Sequence, residues 1–194
     1  MRLFRAVAAF VVAVVIGGGL AACSAPEPEP ALGFLVIGDA RSMADGGPAW
    51  PALIGEDGSD AAVVVDAVVG SGYLTASPEA VRDRIAAASS QPVVILALGA
   101  GDGGAREAPE NVLRSAIVDG IGAAVATGAR VVVLPPLVPG GDPMVASLIR
   151  EVAAAEGAEF VDVTVPPASV FDDGVGGLSA EGHRLVADEL ARQF

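Results

Sequence analysis

The chain has 194 residues, 53% of them hydrophobic, and carries 24 Asp and Glu against 11 basic residues, a formal charge of −13 at neutral pH. So acidic a surface repels phosphate backbones and sets nucleic acid aside as a partner class. A single cysteine excludes an internal disulfide, and the length suffices for one domain with a layered core.

Arg2 and Arg5 precede an apolar run from Ala6 to Ile16, followed by Gly17-Gly18-Gly19 and then Leu20-Ala21-Ala22-Cys23. This is the order of a charged region, an apolar region and a small-residue cleavage site in a secretory signal. The last four residues resemble the lipobox of bacterial lipoproteins. That resemblance implies cleavage after residue 22 and acyl chains such as palmitate on Cys23. A plain membrane-spanning anchor would need about 20 apolar residues, and the glycines and the cysteine cut the run short. Arg2 and Arg5 leave with the signal, so 24 acids would then face nine arginines. The lack of lysine beside so much Ala, Val and Gly suggests a GC-rich genome, and with the lipobox an actinobacterial envelope.

Residues 24 to 31, with Pro26, Pro28 and Pro30 alternating with Glu27 and Glu29, cannot bury a core and read as a semi-rigid extended spacer. The expected organisation is therefore a signal peptide over 1–22, a lipidated Cys23 with a Pro/Glu linker over 23–31, and one domain over 32–194. Its location would be outside the cytoplasmic membrane, held by the lipid.

Within the domain, apolar runs alternate with helical patterns, which predicts a parallel sheet covered on both faces. Strands are expected at Leu32 to Ile37, Ala62 to Val68, Pro92 to Leu98, Arg130 to Leu134 and Glu159 to Val163. Helices are expected near Pro48 to Ile54, Ser77 to Ala88, Pro109 to Ala126, Asp142 to Ala155 and Ser179 to Arg192. Ser77-Pro78-Glu79 and Asp142-Pro143 supply caps and a proline in the first turn, while Gly128 and Gly157 stand where helices should stop. Leu185, Val186 and Leu190 recur at helical spacing and are expected to face the sheet.

Four stretches carry the candidate chemistry. They are Gly38-Asp39-Ala40-Arg41-Ser42, the glycine turn Val68-Val69-Gly70-Ser71-Gly72 with Trp50-Pro51-Ala52-Leu53 upstream, Leu98-Gly99-Ala100-Gly101-Asp102, and Leu178-Ser179-Ala180-Glu181-Gly182-His183. Together they resemble the SGNH (GDSL-type) hydrolases over nearly the whole domain. The resemblance implies a three-layer α/β/α sandwich on a five-stranded parallel sheet, flavodoxin-like in order. The β-α order predicts that strands one, two and three are neighbours in the parallel sheet, with Asp39, Gly70 and Asp102 at their C-terminal ends. On the resemblance, Gly70 would lend a backbone N–H to an oxyanion.

The chemical positions of the pattern are altered. Ala40 stands where the family has its nucleophilic serine, and Gly101 where it has the asparagine of Gly-x-Asn-Asp. Gly177 stands where it has the catalytic histidine, or Gly176 does if the match is set on Asp173. Asp39, Gly70, Asp102 and an acid from Asp172 or Asp173 would remain as a vestigial pocket, and an acid without its histidine orients nothing.

His183, the lone histidine, reads as a structural side chain near a helix start, and Ser42 as a loop support; a rewired Ser42–His183 pair is the alternative. Gly99 to Gly104 fits G-x-G-x-x-G but does not open directly into a helix, so no nucleotide cofactor is expected. Asp39, Asp102 and Asp173 could converge on a hard cation, or each could cap a turn; no metal is expected. The function expected is a non-catalytic envelope lipoprotein that binds an acyl ester, a glycan or a protein. An esterase or acyltransferase working through rewired residues is the alternative.

Overall fold

Strand β1 (Gly33–Gly38) is apolar on both faces because it runs through the middle of the molecule, and all six of its residues are buried. Phe34 and Val36 point into one hydrophobic cluster, Leu35 and Ile37 into another. That alternation is what a strand sandwiched between two helical layers requires. The structure, a computed structural model, describes residues 33–43, 47–54, 61–74, 80–88, 90–102, 108–163, 171 and 177–194. All belong to one compact unit, Ala31–Phe194.

The other strands are β2 (Ala62–Ala67), β3 (Val93–Ala97), β4 (Arg130–Val133) and β5 (Glu159–Phe160). They form one five-stranded, all-parallel sheet in the order β2-β1-β3-β4-β5. Helices α2 (Val81–Ala87), α3 (Glu110–Val125) and α4 (Pro143–Glu156) cover one face with Val81, Ile85, Ile117, Ile121, Ile149 and Val152. Helices α1 (Trp50–Ile54) and α5 (Ala180–Ala191) cover the other with Trp50, Ile54, Val186 and Leu190. The three-layer α/β/α fold expected from the sequence is the fold observed.

Local chemistry explains most element ends. Asp142 accepts a hydrogen bond from the Val145 N–H at 3.2 Å and Pro143 opens α4. Ser179 accepts from the Gly182 N–H at 3.2 Å and starts α5. Gly157 ends α4 at φ +81°, a left-handed conformation that glycine adopts without a Cβ penalty.

Three expectations are corrected. Helix α2 begins at Val81, because Ala80 is extended (φ −61°, ψ 147°) and no side chain caps it; Ser77, Pro78 and Glu79 lie outside the described residues. Strand β5 stops at Phe160: the Val161 N–H still donates to the Val133 carbonyl, but the Val163 N–H turns back to the Val161 carbonyl, and both side chains fill the core. Leu185 is exposed, and α5 instead turns His183, Val186, Ala187 and Leu190 inward, the i, i+3, i+4, i+7 stripe of a helix on a sheet.

Signal, Cys23 and linker all fall outside the described residues, and no described helix is long and apolar enough to cross a membrane.

Candidate active site

The C-terminal ends of β1, β2 and β3 lie side by side, so the loops leaving them meet at one edge of the sheet, where ligands gather in parallel α/β folds. Each loop is built from short-range hydrogen bonds. After β1, Asp39 folds the chain into a 3-10 turn over Ala40–Ser42, its Oδ1 accepting from the Arg41 N–H at 2.8 Å. Ala40 is half-buried on this turn.

Gly38 must be glycine here, since a Cβ on it would lie 2.2 Å from Ser42 Oγ. The same contact shows where Ser42 points. Its hydroxyl is buried against the end of β1 and has no hydrogen-bond partner among the described residues.

After β2, the Ser71 N–H bonds back to the Val68 carbonyl, and Gly70 turns the chain at φ +78° with open space where a Cβ would stand. After β3, Asp102 reaches across to this turn. Its Oδ2 accepts from the Tyr73 N–H at 2.7 Å and its Oδ1 from the Leu74 N–H at 2.9 Å. Gly72 makes room for that carboxylate, because a Cβ there would lie 2.3 Å from Asp102 Oδ1. Gly101 sits against the same turn: a Cβ on it would be 2.6 Å from the Gly70 carbonyl oxygen and 2.7 Å from that of Ser71.

Electrostatically the site is dominated by buried acids. Burial pushes the Asp39 carboxyl up to about 6, and the charge of Asp102 adds to this, against the lowering effect of the Arg41 N–H and guanidinium. The Arg41 guanidinium lies 3.9 Å from Asp39. The two aspartates expected in the pocket are thus brought together, each occupied with backbone N–H groups. Among the described residues no group of three or more His, Cys, Asp or Glu is placed to hold a metal ion. Asp172, Asp173 and Gly176 lie outside the described residues. Gly177 is described, half-buried, with nothing within 4 Å of a Cβ placed on it.

His183 is buried on α5, and its Nδ1 accepts from the Trp50 backbone N–H at 3.2 Å. That bond assigns the ring proton to Nε2. Burial lowers the pKa of the ring, partly opposed by the Met43 backbone, so His183 is neutral at pH 7. The Trp50 indole N–H in turn donates to the Arg41 carbonyl at 3.0 Å. Histidine and tryptophan therefore support the β1 turn from below. Ser42 and His183, weighed together as a rewired pair, make no hydrogen bond to each other.

Sequence reasoning missed Arg84. This arginine on α2 is almost fully buried, and its guanidinium donates to both carboxylate oxygens of Asp66 at 3.1 Å, to Ser71 Oγ at 2.7 Å and to the Gly38 carbonyl at 3.2 Å. One side chain ties α2 to the ends of β1 and β2. The signal was present: Asp66 interrupts an apolar strand and Arg84 lies between Val81 and Ile85 on a buried helix face, and two charges in buried patterns call for each other.

A parallel α/β/α sandwich whose first three strand ends carry a Gly-Asp turn, a glycine turn and a Gly-x-Gly-Asp turn defines a hydrolase-type scaffold with its site on loops at one sheet edge. Residues 36–185 match the GDSL-like lipase/acylhydrolase family, and the chain belongs to it. Solved structures agree on the fold. The psychrotrophic esterase EstA from Pseudoalteromonas sp. superposes with a TM-score of 0.66 at 18% identity, covering 82% of this chain and 94% of that one. A putative lipolytic protein of the G-D-S-L family from Desulfitobacterium hafniense gives 0.63 at 20% identity, covering 84% and 99%. A catalytic mutant of the acetylxylan esterase Axe2 from Geobacillus stearothermophilus gives 0.61 at 15% identity, covering 84% and 93%. No curated protein sequence matches the chain.

Proposed function

We propose that this chain is a cell-envelope lipoprotein whose GDSL-like domain binds its partner without hydrolysing it. What supports the reading is Ala40 on the β1 turn and Gly101 on the β3 turn: on the motif match, a methyl group and a bare backbone take the positions at which the family's reaction uses a hydroxyl nucleophile and an amide donor. One such donor contributes about 3 kcal/mol to an acyl-transfer transition state. The hydroxyls and imidazole nearby do not replace them. Ser42 is folded against Gly38, Ser71 accepts from Arg84, and His183 Nδ1 is taken by Trp50.

The ligand classes that suit this scaffold are an envelope acyl ester, a glycan or a protein, as the esterase neighbours suggest. Cys23 carries the lipid that holds the domain at the membrane surface, with residues 24–31 as spacer.

The test is p-nitrophenyl acetate hydrolysis by the wild-type, Ala40→Ser and His183→Ala proteins purified alike. All three should match the buffer rate. Loss of nucleophile or base alone costs about a million-fold in kcat in a comparable triad. Wild-type turnover that disappears in His183→Ala would replace this reading with a rewired hydrolase. For the anchor, Cys23→Ala should move the protein out of the membrane fraction or leave an uncleaved precursor.

A further inference from the structure

Strand β2 is the edge of the sheet next to β1, and it lacks the devices that normally protect an edge. Its sequence from Ala62 to Val68 is Ala-Val-Val-Val-Asp-Ala-Val, with no proline and no lysine. Val64 and Val65, which point to opposite faces of the strand, are 41% and 45% exposed, and Val69 just beyond is 71% exposed. The Val68 N–H donates to the Gly38 carbonyl, so residues 64, 66 and 68 turn their backbone groups toward β1, and residues 63, 65 and 67 turn theirs outward. No partner for those outward groups occurs among the described residues.

The one charge on the strand is neutralised. Asp66 is bound through both oxygens by Arg84, so the edge presents no net charge on a protein whose formal charge is −13. Two copies of so acidic a chain repel almost everywhere they could touch. At β2 they meet neutral, apolar and with unmet backbone donors and acceptors.

We propose that the β2 edge is the interface with a second copy of this chain, joined antiparallel across a two-fold axis at Val65. Closed symmetry between identical edges demands the antiparallel direction. Val65 then faces the partner's Val65, Val64 faces the partner's Asp66, and residues 63, 65 and 67 of both copies exchange about six backbone hydrogen bonds. The two sheets become one. The paired residues 63 to 67 precede the loop that leaves β2, and the pairing does not depend on whether the loops at the strand ends bind or react.

The experiment uses the full chain in membranes of an expressing cell, treated with a short bis-maleimide. Wild type, whose only cysteine is the lipid-bearing Cys23, sets the background. Val65→Cys should give an adduct of twice the chain mass, at least about ten-fold stronger than Val112→Cys on exposed α3, since only a fixed neighbour supplies a high effective concentration. Adding Val64→Glu to Val65→Cys forces an unpaired carboxylate into the apolar strand pair and should abolish the adduct. Independently of any variant, light scattering of the detergent-extracted wild-type chain should read two copies. A single copy there, equal adducts at positions 65 and 112, an adduct of another mass that reveals a different partner, or an adduct that survives Val64→Glu would each overturn the proposal.

Discussion

Gly101 packs so closely on Ser71 that a Cβ at position 101 would stand 2.7 Å from the Ser71 carbonyl oxygen, closer than real Cβ atoms come to backbone. The β2 and β3 loops are therefore fitted to each other around the bare Gly101 backbone, and Asp102 and Arg84 hold them so.

Gly101→Asn should consequently destabilise the domain by about 2 kcal/mol, the usual cost of overpacking a fitted contact, and lower its Tm by several degrees. Thermal unfolding followed by circular dichroism reads this directly. An unchanged Tm would mean that the Gly70–Ser71 backbone yields easily. By the same contact, Ala40→Ser, Gly101→Asn and Gly177→His together should fail to produce an esterase until the β2 turn is also reshaped, although position 177 itself has room for a side chain.

Arg84→Met should cost about 3 kcal/mol, because it leaves the carboxylate of Asp66, the Ser71 hydroxyl and the Gly38 carbonyl without their shared donor. Asp66 keeps a third of its side chain in water, which softens the loss. Urea unfolding of Arg84→Met and of Arg84→Met with Asp66→Leu checks the assignment. The double variant should recover part of the stability, since the stranded charge is gone.

Asp39 gives the domain a pH dependence of known sign. Its folded pKa near 6 lies above the ordinary 3.8, so the folded state holds the proton more tightly than the unfolded chain. The contribution is fully present below about pH 4 and is lost as the pH rises through about 6, up to about 3 kcal/mol in all. Asp39→Asn keeps an oxygen to cap the turn and removes the titration. It should be more stable than wild type at pH 7 and nearly equal to it at pH 4 by denaturant unfolding.

His183 acts in the opposite sense. Burial holds its pKa below 6.5, so its support is complete above that value and falls away as acid forces a proton onto the buried ring. His183→Ala leaves the Trp50 N–H without an acceptor and should cost about 2 kcal/mol at pH 8. The gap between wild type and variant should narrow below pH 6. A gap independent of pH would show that the ring is not buried neutral.

The residue pattern by itself determined the layers of this fold. Val, Ile and Leu on both faces of each central strand leave no face for water, and Asp142, Ser179 and Gly157 mark element ends because cap chemistry is local. It also placed the Gly-Asp, Gly-Ser-Gly and Gly-x-Gly-Asp turns at the ends of β1, β2 and β3, since each follows an apolar run. What lay beyond it was every relationship between segments far apart in the chain. The inward turn of His183 rather than Leu185 depends on which face of α5 meets the sheet and on the Trp50 N–H that awaits the ring. That Arg84 reaches Gly38, Asp66 and Ser71 depends on three elements arriving at one point, and that Gly101 must stay bare depends on the Ser71 backbone already filling its space. Periodicity reports the environment of a residue along one element; hydrogen bonds and close contacts between elements exist only once the chain has packed.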